Sequence, residues 1–389
     1  MRNVKELYHQ LTEQKEFDKR YPAYQPDDGK VHVLYISPCL NGTGYYRMIA
    51  PALELNRTKS HAAIISNIHK WDFNKRFDDY DSPLNEKLIT WADYVVLPAM
   101  LTDVTYILKA LKAKNQDLQF VMDLDCNLHA VPKEHLDYGK ITKESKQQLL
   151  ANLAKMNIVT GASEGLLEYY EGLLERFYPK SDVFLEYIPN LVSQFAYQEV
   201  EPLAKNETDK VRIGIIGSGA TAYDTLSIIG VLKHLQKKYS DKVELILFGW
   251  NGKLPGKDEP LKELSPITVK SVSFLEYFDK LNELTLDIAL LPMQKVPFNT
   301  HGKSFIKYLE LAVYAIPVIA SDLPPYNEAI ENGDTGLLAS TPEQWAEATT
   351  KLIEDTELRK RIGKSALKQV WRNFSFTGST IKIYQEVFI

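Results

Sequence analysis

The sequence has 389 residues, of which 44% are hydrophobic and 25% charged, with a formal net charge of -5. That length gives room for two or three domains at roughly 100–200 residues each, and the acid excess argues against a bulk electrostatic hold on nucleic acid, though not against a local basic groove. Two cysteines, Cys39 and Cys126, exclude a disulfide framework, and no Cys/His metal spacing occurs.

The chain begins with a polar stretch, residues 1–29, ending in the turn-rich YPAYQPDDG. It predicts a helical extension and has no apolar core of signal-peptide type. No run approaches about 18 apolar residues, so no membrane span is expected. VHVLYIS (31–37) then reads as a buried strand, the PCLNGTG that follows as a glycine loop, and YYRMIAPALEL as a helix. The same strand signal returns at HAAIIS (61–66), ADYVVLPA (92–99), LQFVMDLD (118–125), NIVTGAS (157–163) and VFLEYIPN (183–190), with helical spacing between several of them. Strands alternating with helices predict a parallel α/β sheet. The polar stretch 193–210 reads as a linker, after which the alternation restarts. VRIGIIG (211–217), VELILFG (243–249), LDIALLP (286–292) and IPVIAS (316–321) are strands, TGLLAS (335–340) is an edge piece, and residues 341–374 are helical. The predicted organisation is an extension (1–29), a first Rossmann-like domain (30–195), a linker (196–210), a second Rossmann-like domain (211–372), and a helix (373–389) crossing back to the first. Two such domains face one another across a cleft, and ligands of open α/β sheets bind at the carboxyl ends of the strands.

Three stretches carry chemistry. In NGTGYYR (41–47), Gly42 and Gly44 precede a helix, which suits an anion at the helix start or an unliganded tight turn, and Arg47 in the first turn is placed to reach the cleft. In DLDCNLH (123–129), the Asp-Leu-Asp pair suits a divalent cation with phosphates. The favoured reading is instead a cleft-facing Asp125 that accepts from a sugar hydroxyl. His129 is a ligand, a hydrogen-bonding group or a surface histidine. In IGSGATAYD (216–224), the backbone amides of Gly217, Ser218 and Gly219 form a nest for a phosphate oxygen.

The densest signal is KSFIKYLELAVYA (303–315). If it is a single helix, Lys303 and Lys307 are four apart on one face, with Ser304 and Glu310 beside them. Ammonium groups at a helix start oppose its dipole unless an anion shares the site. A diphosphate bound by Lys303, Ser304 and Lys307 resolves that conflict and frees Glu310 for the vicinal hydroxyls of a ribose. The alternative is a solvated face with a surface Lys307–Glu310 pair. No Ser/His/Asp triad, HExxH or P-loop is present.

Residues 297–339, together with YIPN, IGIIGSGATAYD, DIALLPM, GTGYYRMIAPAL and VMDLDCNLHAVP in that family's order or position, resemble GT4-like glycosyltransferases of the GT-B superfamily, in a bacterial and phage branch. The resemblance spans about residues 30–375 and implies transfer of a sugar, with retention, from a UDP- or GDP-sugar to a saccharide or glycoconjugate. A modified base in DNA is the alternative acceptor, and a non-catalytic nucleotide-sugar-binding module the alternative role. It implies no metal or other cofactor; the expected location, from the lack of a signal-peptide core and of a membrane span, is cytoplasmic, in a bacterium or phage-infected cell. It places Glu310 on the ribose, as the second carboxylate of a Glu-x7-Glu motif whose first position here is Gly302. Asp125, Lys303 and Arg47 are expected as catalytic groups. Gly44, Gly217, Ser218, Gly219, Ser304 and Lys307 are expected to bind the donor and its phosphates.

Overall fold

The computed structural model describes residues 2–36, 40–66, 85–135, 138–197, 205–217, 219–250 and 261–389. Two six-stranded sheets form its framework. The first contains β1 (Val31–Tyr35), β2 (His61–Ile65), β3 (Tyr94–Pro98), β4 (Gln119–Leu124), β5 (Ile158–Gly161) and β6 (Phe184–Tyr187), in the order β2-β1-β3-β4-β5-β6. The second contains β7 (Val211–Ile216), β8 (Val243–Phe248), β9 (Ile267–Val269), β10 (Ile288–Leu291), β11 (Val318–Ser321) and β12 (Leu337–Ala339), in the order β12-β11-β10-β7-β8-β9. All pairings within both sheets are parallel.

Strands covered on both faces must be apolar at successive positions, and this is what VHVLY, YVVLP, IALL and VIAS supply. In the second sheet Ile213, Ile215, Leu245, Leu247, Ile288, Leu290 and Ile319 face one core. Ile216, Ile246, Phe248, Ala289, Leu291, Val318 and Ala320 face the other, as the period of two requires. That second core is continuous with the core of the first domain. Tyr197 meets Phe278 at 4.8 Å between ring centroids, and Tyr45 meets Phe274 at 5.0 Å.

The strand β9 and the helix Phe274–Glu283 have no counterpart in the sequence reading. The strand is three residues long, too short for alternation to register. The N-terminal helix Arg2–Glu13 ties to both domains: Asn3 donates to the carbonyl of Phe195 and Lys5 pairs with Asp279 at 3.3 Å.

The chain passes between domains at two places that lie side by side. Val192 forms a parallel bridge with Ser375, its N–H donating to the Phe374 carbonyl at 2.8 Å and its carbonyl accepting from Phe376 N–H at 3.2 Å. Beyond this pair, the helix Thr380–Val387 packs on the first domain, where Tyr384 donates to the Pro189 carbonyl at 2.6 Å. No described helix is long and apolar enough to cross a membrane.

Candidate active site

Each sheet reverses its strand order at one crevice. In the first this is between β1 and β3, and in the second between β7 and β10. Loops diverge at such points and leave room for a ligand. A cavity of about 390 Å³ opens there between the domains. Gly42, Thr43, Tyr46, Asp125 and Asn190 line one wall, and Gly217, Lys303, Ser304, Lys307 and Glu310 the other.

The second-domain wall is built on two buried carboxylates. Asp224 accepts from the Gln294 N–H at 2.9 Å, from Asn299 Nδ2 at 2.7 Å, and from Lys303 Nζ at 2.7 Å. Its side chain is 3% exposed, while that of Lys303 is 28% exposed, so the carboxylate anchors the ammonium and leaves one side of it open to the cavity. Glu310 is held in the same way. It accepts from Lys307 Nζ at 2.7 Å and Tyr277 hydroxyl at 2.9 Å through Oε2, and from Tyr46 hydroxyl at 3.1 Å through Oε1. Burial pulls the Lys307 pKa down, but the Glu310 carboxylate and Tyr277 outweigh it and leave it raised. Lys307 therefore carries its charge throughout the neutral range.

These contacts revise the reading of residues 303–315 as one helix. The helix runs Ile306–Ala312, and Lys303 and Ser304 precede it in a loop. The loop is pulled out of helical register by Asp224 on one side and by Asn190, which donates to Ser304 Oγ at 2.8 Å, on the other. Lys303 and Lys307 still line the same cavity.

On the first-domain wall, Asn41 Oδ1 caps the helix start by accepting from Gly44 N–H at 2.8 Å. Thr43 donates to Asp125 at 2.7 Å. Burial pushes the Asp125 carboxyl up, an effect that Thr43 and Arg47 offset only in part. Arg47 needs a correction, because it does not reach the cleft. Its side chain is 1% exposed and donates through Nε and Nη2 to both oxygens of Asp123, at 2.9 and 2.8 Å. The helix here passes through a wide turn, Tyr45–Ile49, before Pro51, which has no N–H to offer the Arg47 carbonyl. Its side chain is directed under β4 rather than over the cleft. The two aspartates of the Asp-Leu-Asp stretch consequently part, Asp123 turning inward to Arg47 and Thr160 and Asp125 facing the cavity. Among the described residues, no three His, Cys, Asp or Glu side chains come together as metal ligands.

His129 lies outside the cavity, against Tyr170 and Lys146, where burial and the Lys146 charge bring its pKa down to about 4. Gly44 is buried within the capped turn and does not line the cavity. Gly219 opens the helix Gly219–Thr225, two positions after Gly217. Ser218 lies outside the described residues. None of the lysines at 109–115 or 133–146 lines the cavity. Asp224, Tyr46, Tyr277 and Asn190 are not singled out by the sequence; the positions of Asp224 and Tyr46 beside glycine loops and of Asn190 at the end of YIPN hint at three of them, and nothing local hints at Tyr277.

Gly302 has a steric reason to lack a side chain. A Cβ there would stand 2.4 Å from the Phe298 carbonyl oxygen and 2.5 Å from Asn127 Cβ of the other domain. A carboxylate at this position, as in Glu-x7-Glu, does not fit with the two domains in contact. Gly302→Ala is accordingly expected to push the domains apart and destabilise the chain by about 1–3 kcal/mol. An unchanged urea midpoint together with an unchanged small-angle scattering radius would contradict this.

Residues 198–369 match the family model described as glycosyl transferases group 1. A 68-residue stretch is 37% identical to "Glycosyltransferase 1 domain-containing protein 1" of Xenopus tropicalis, covering 18% of this chain and 20% of that protein. Among solved structures, the Anabaena protein HepE in complex with UDP and glucose superposes with a TM-score of 0.56 at 13% identity, over 91% of this chain and 97% of the other. Sucrose-phosphate synthase of Thermosynechococcus elongatus gives 0.54 at 13% identity, over 92% and 99%. TarM of S. aureus, solved as a point mutant with fondaparinux, alpha-GlcNAc-glycerol and UDP, gives 0.53 at 16% identity, over 78% of this chain and 59% of that longer one. The fold is therefore GT-B, and the match of the second domain supports sugar transfer.

Proposed function

We propose that this chain is a GT4-like glycosyltransferase that moves a sugar, with retention, from a UDP- or GDP-sugar to a hydroxyl of a saccharide or glycoconjugate. The observation that carries this reading is the convergence of Lys303, Ser304, Lys307 and Glu310 beside Gly217 on one interdomain cavity, within the segment matched by the family model.

The leaving group is a nucleoside diphosphate, and its growing negative charge is the main obstacle to bond cleavage. Lys303 and Lys307 meet it as fixed cations, their positions set by Asp224 and Glu310 before the ligand arrives. Gly217 lets the backbone approach the phosphates closely and, with the amide of Gly219 at the helix start, completes the anion site. Glu310 Oε1, with Tyr46 as its single donor among the described residues, has a lone pair left for a ribose hydroxyl. Asp125 stands on the facing wall, where a raised pKa suits a carboxyl that holds or receives a proton from a sugar hydroxyl. The lysines supply the positive charge that a metal would otherwise bring, so transfer is expected to persist in EDTA.

A thermal-shift panel of nucleoside-diphosphate sugars tests the reading, since a ligand of the native state raises the melting temperature by mass action. One nucleotide class is expected to stabilise the chain, and Glu310→Ala to weaken that binding about tenfold. Proton NMR of the product then reads the anomeric configuration. No stabilisation by any donor at millimolar concentration would reject the assignment. Binding without transfer or donor hydrolysis would leave a nucleotide-sugar-binding module.

A further inference from the structure

Arg47, Asn190 and Ser304 form a polar relay that crosses from the first domain to the second. Arg47 Nη1 donates to the Ile188 carbonyl at 2.7 Å and to Asn190 Oδ1 at 2.9 Å. Asn190 Nδ2 donates to Ser304 Oγ at 2.8 Å. Asn190 is 1% exposed, and the neighbouring Pro189 carbonyl is held by Tyr384.

The orientation of the Asn190 amide follows from chemistry alone. A guanidinium has only donors, so the group facing Arg47 must be the amide oxygen. The amide NH₂ is thereby forced toward Ser304, whose oxygen must accept. The Ser304 proton then has no acceptor among the described residues, and Ser304 lines the cavity. A hydroxyl that is committed as acceptor on its buried side offers its proton on the open side.

We infer that Arg47 and Asn190 are positioning residues that hold Ser304 as a hydrogen-bond donor toward an anionic oxygen of the nucleotide. The inference rests on the donor-binding reading above and deepens it. The first domain thereby sets the polarity of one group in the donor site. It also gives a role to a buried arginine that does not itself line the cavity.

Asn190→Asp is the decisive variant. It is close to isosteric and keeps an oxygen for Arg47, but its second oxygen can only accept, so it draws the Ser304 proton away from the cavity. UDP and GDP are titrated calorimetrically into the full chain and its Asn190→Asp, Ser304→Ala and doubly substituted forms. For the nucleotide that binds, Asn190→Asp is expected to weaken affinity at least about tenfold when Ser304 is present and less than about twofold when it is Ala. The melting temperature of the unliganded chain should stay within about 2 °C of the parent. An equal loss in both backgrounds would mean simple repulsion by the new charge, and no loss in either would mean that Asn190 does not act through Ser304. Either result overturns the inference while leaving the donor reading standing. If neither nucleotide binds the parent chain, the donor reading fails and takes the inference with it. Should Asn190→Asp not fold, Asn190→Ala in the same two backgrounds is expected to show about a threefold loss with Ser304 and none without it, and equal losses overturn the proposal.

Discussion

Arg47→Met is expected to lower the stability of the first domain by about 3–5 kcal/mol, read as a fall in the urea midpoint at unchanged slope. The guanidinium is fully enclosed and satisfies both oxygens of Asp123, the Ile188 carbonyl and the Asn190 amide oxygen. A methionine fills most of the volume but donates nothing. Asp123 keeps the Thr160 hydroxyl at 2.6 Å, which leaves a buried carboxylate without a countercharge. The cost therefore comes from the stranded partner more than from the lost attraction. Adding Asp123→Leu to Arg47→Met should recover most of the loss, because an apolar pair of similar volume removes the stranded charge. A midpoint shift worth less than about 1 kcal/mol in the single variant would show that water or a rearranged side chain satisfies Asp123, and the rigid picture of this domain would fail. This expected collapse is also why Arg47 itself is a poor probe of the relay to Ser304.

Lys303→Met is expected to reduce kcat/KM for the donor by about 10²–10³, the range typical for removing one preorganised group that meets transition-state charge. Two effects add. The cation at the leaving group is lost, and the carboxylate of Asp224, which it had neutralised at 2.7 Å, now faces the diphosphate. The second effect can be separated. Asp224→Asn in the Lys303→Met background removes the repulsion while keeping the amide oxygen for Gln294 N–H, and should raise the rate part of the way back. Release of nucleoside diphosphate from the donor identified by the binding panel gives the rates. A decrease of less than about fivefold would remove Lys303 from the leaving-group site and shift the burden to Lys307.

How much of this could be seen in the residues alone depends on the range of the interactions. The parallel strands were legible because most are short runs dominated by apolar residues, and β9 was not because Ile267–Val269 is too short to show a period. Lys303, Ser304, Lys307 and Glu310 were legible because they crowd into eight positions, and Gly217 because it follows a strand. Their partners were hidden. Asp224 meets Lys303 across 79 positions, Asn190 meets Ser304 across 114, and Tyr46 meets Glu310 across 264. No local pattern encodes such meetings: the first arises when the second domain folds, and the other two only when the domains close on one another. Arg47 shows the limit from the other side. Its type and place beside a glycine loop were read correctly, but the direction of a side chain depends on the turn that carries it, and Pro51 widens that turn.

The paired crossings at Val192 and Ser375 bear on how the cleft can move. One covalent link would let the lobes swivel freely, whereas two links bonded alongside each other permit bending about a single axis and resist torsion, as a door on two pins does. The contacts that close the opening, Tyr46 with Glu310, Asn190 with Ser304, and Asn127 with Gly302, are then geometrically coupled and release or engage in concert. Such a coupling turns many weak latches into one all-or-none gesture.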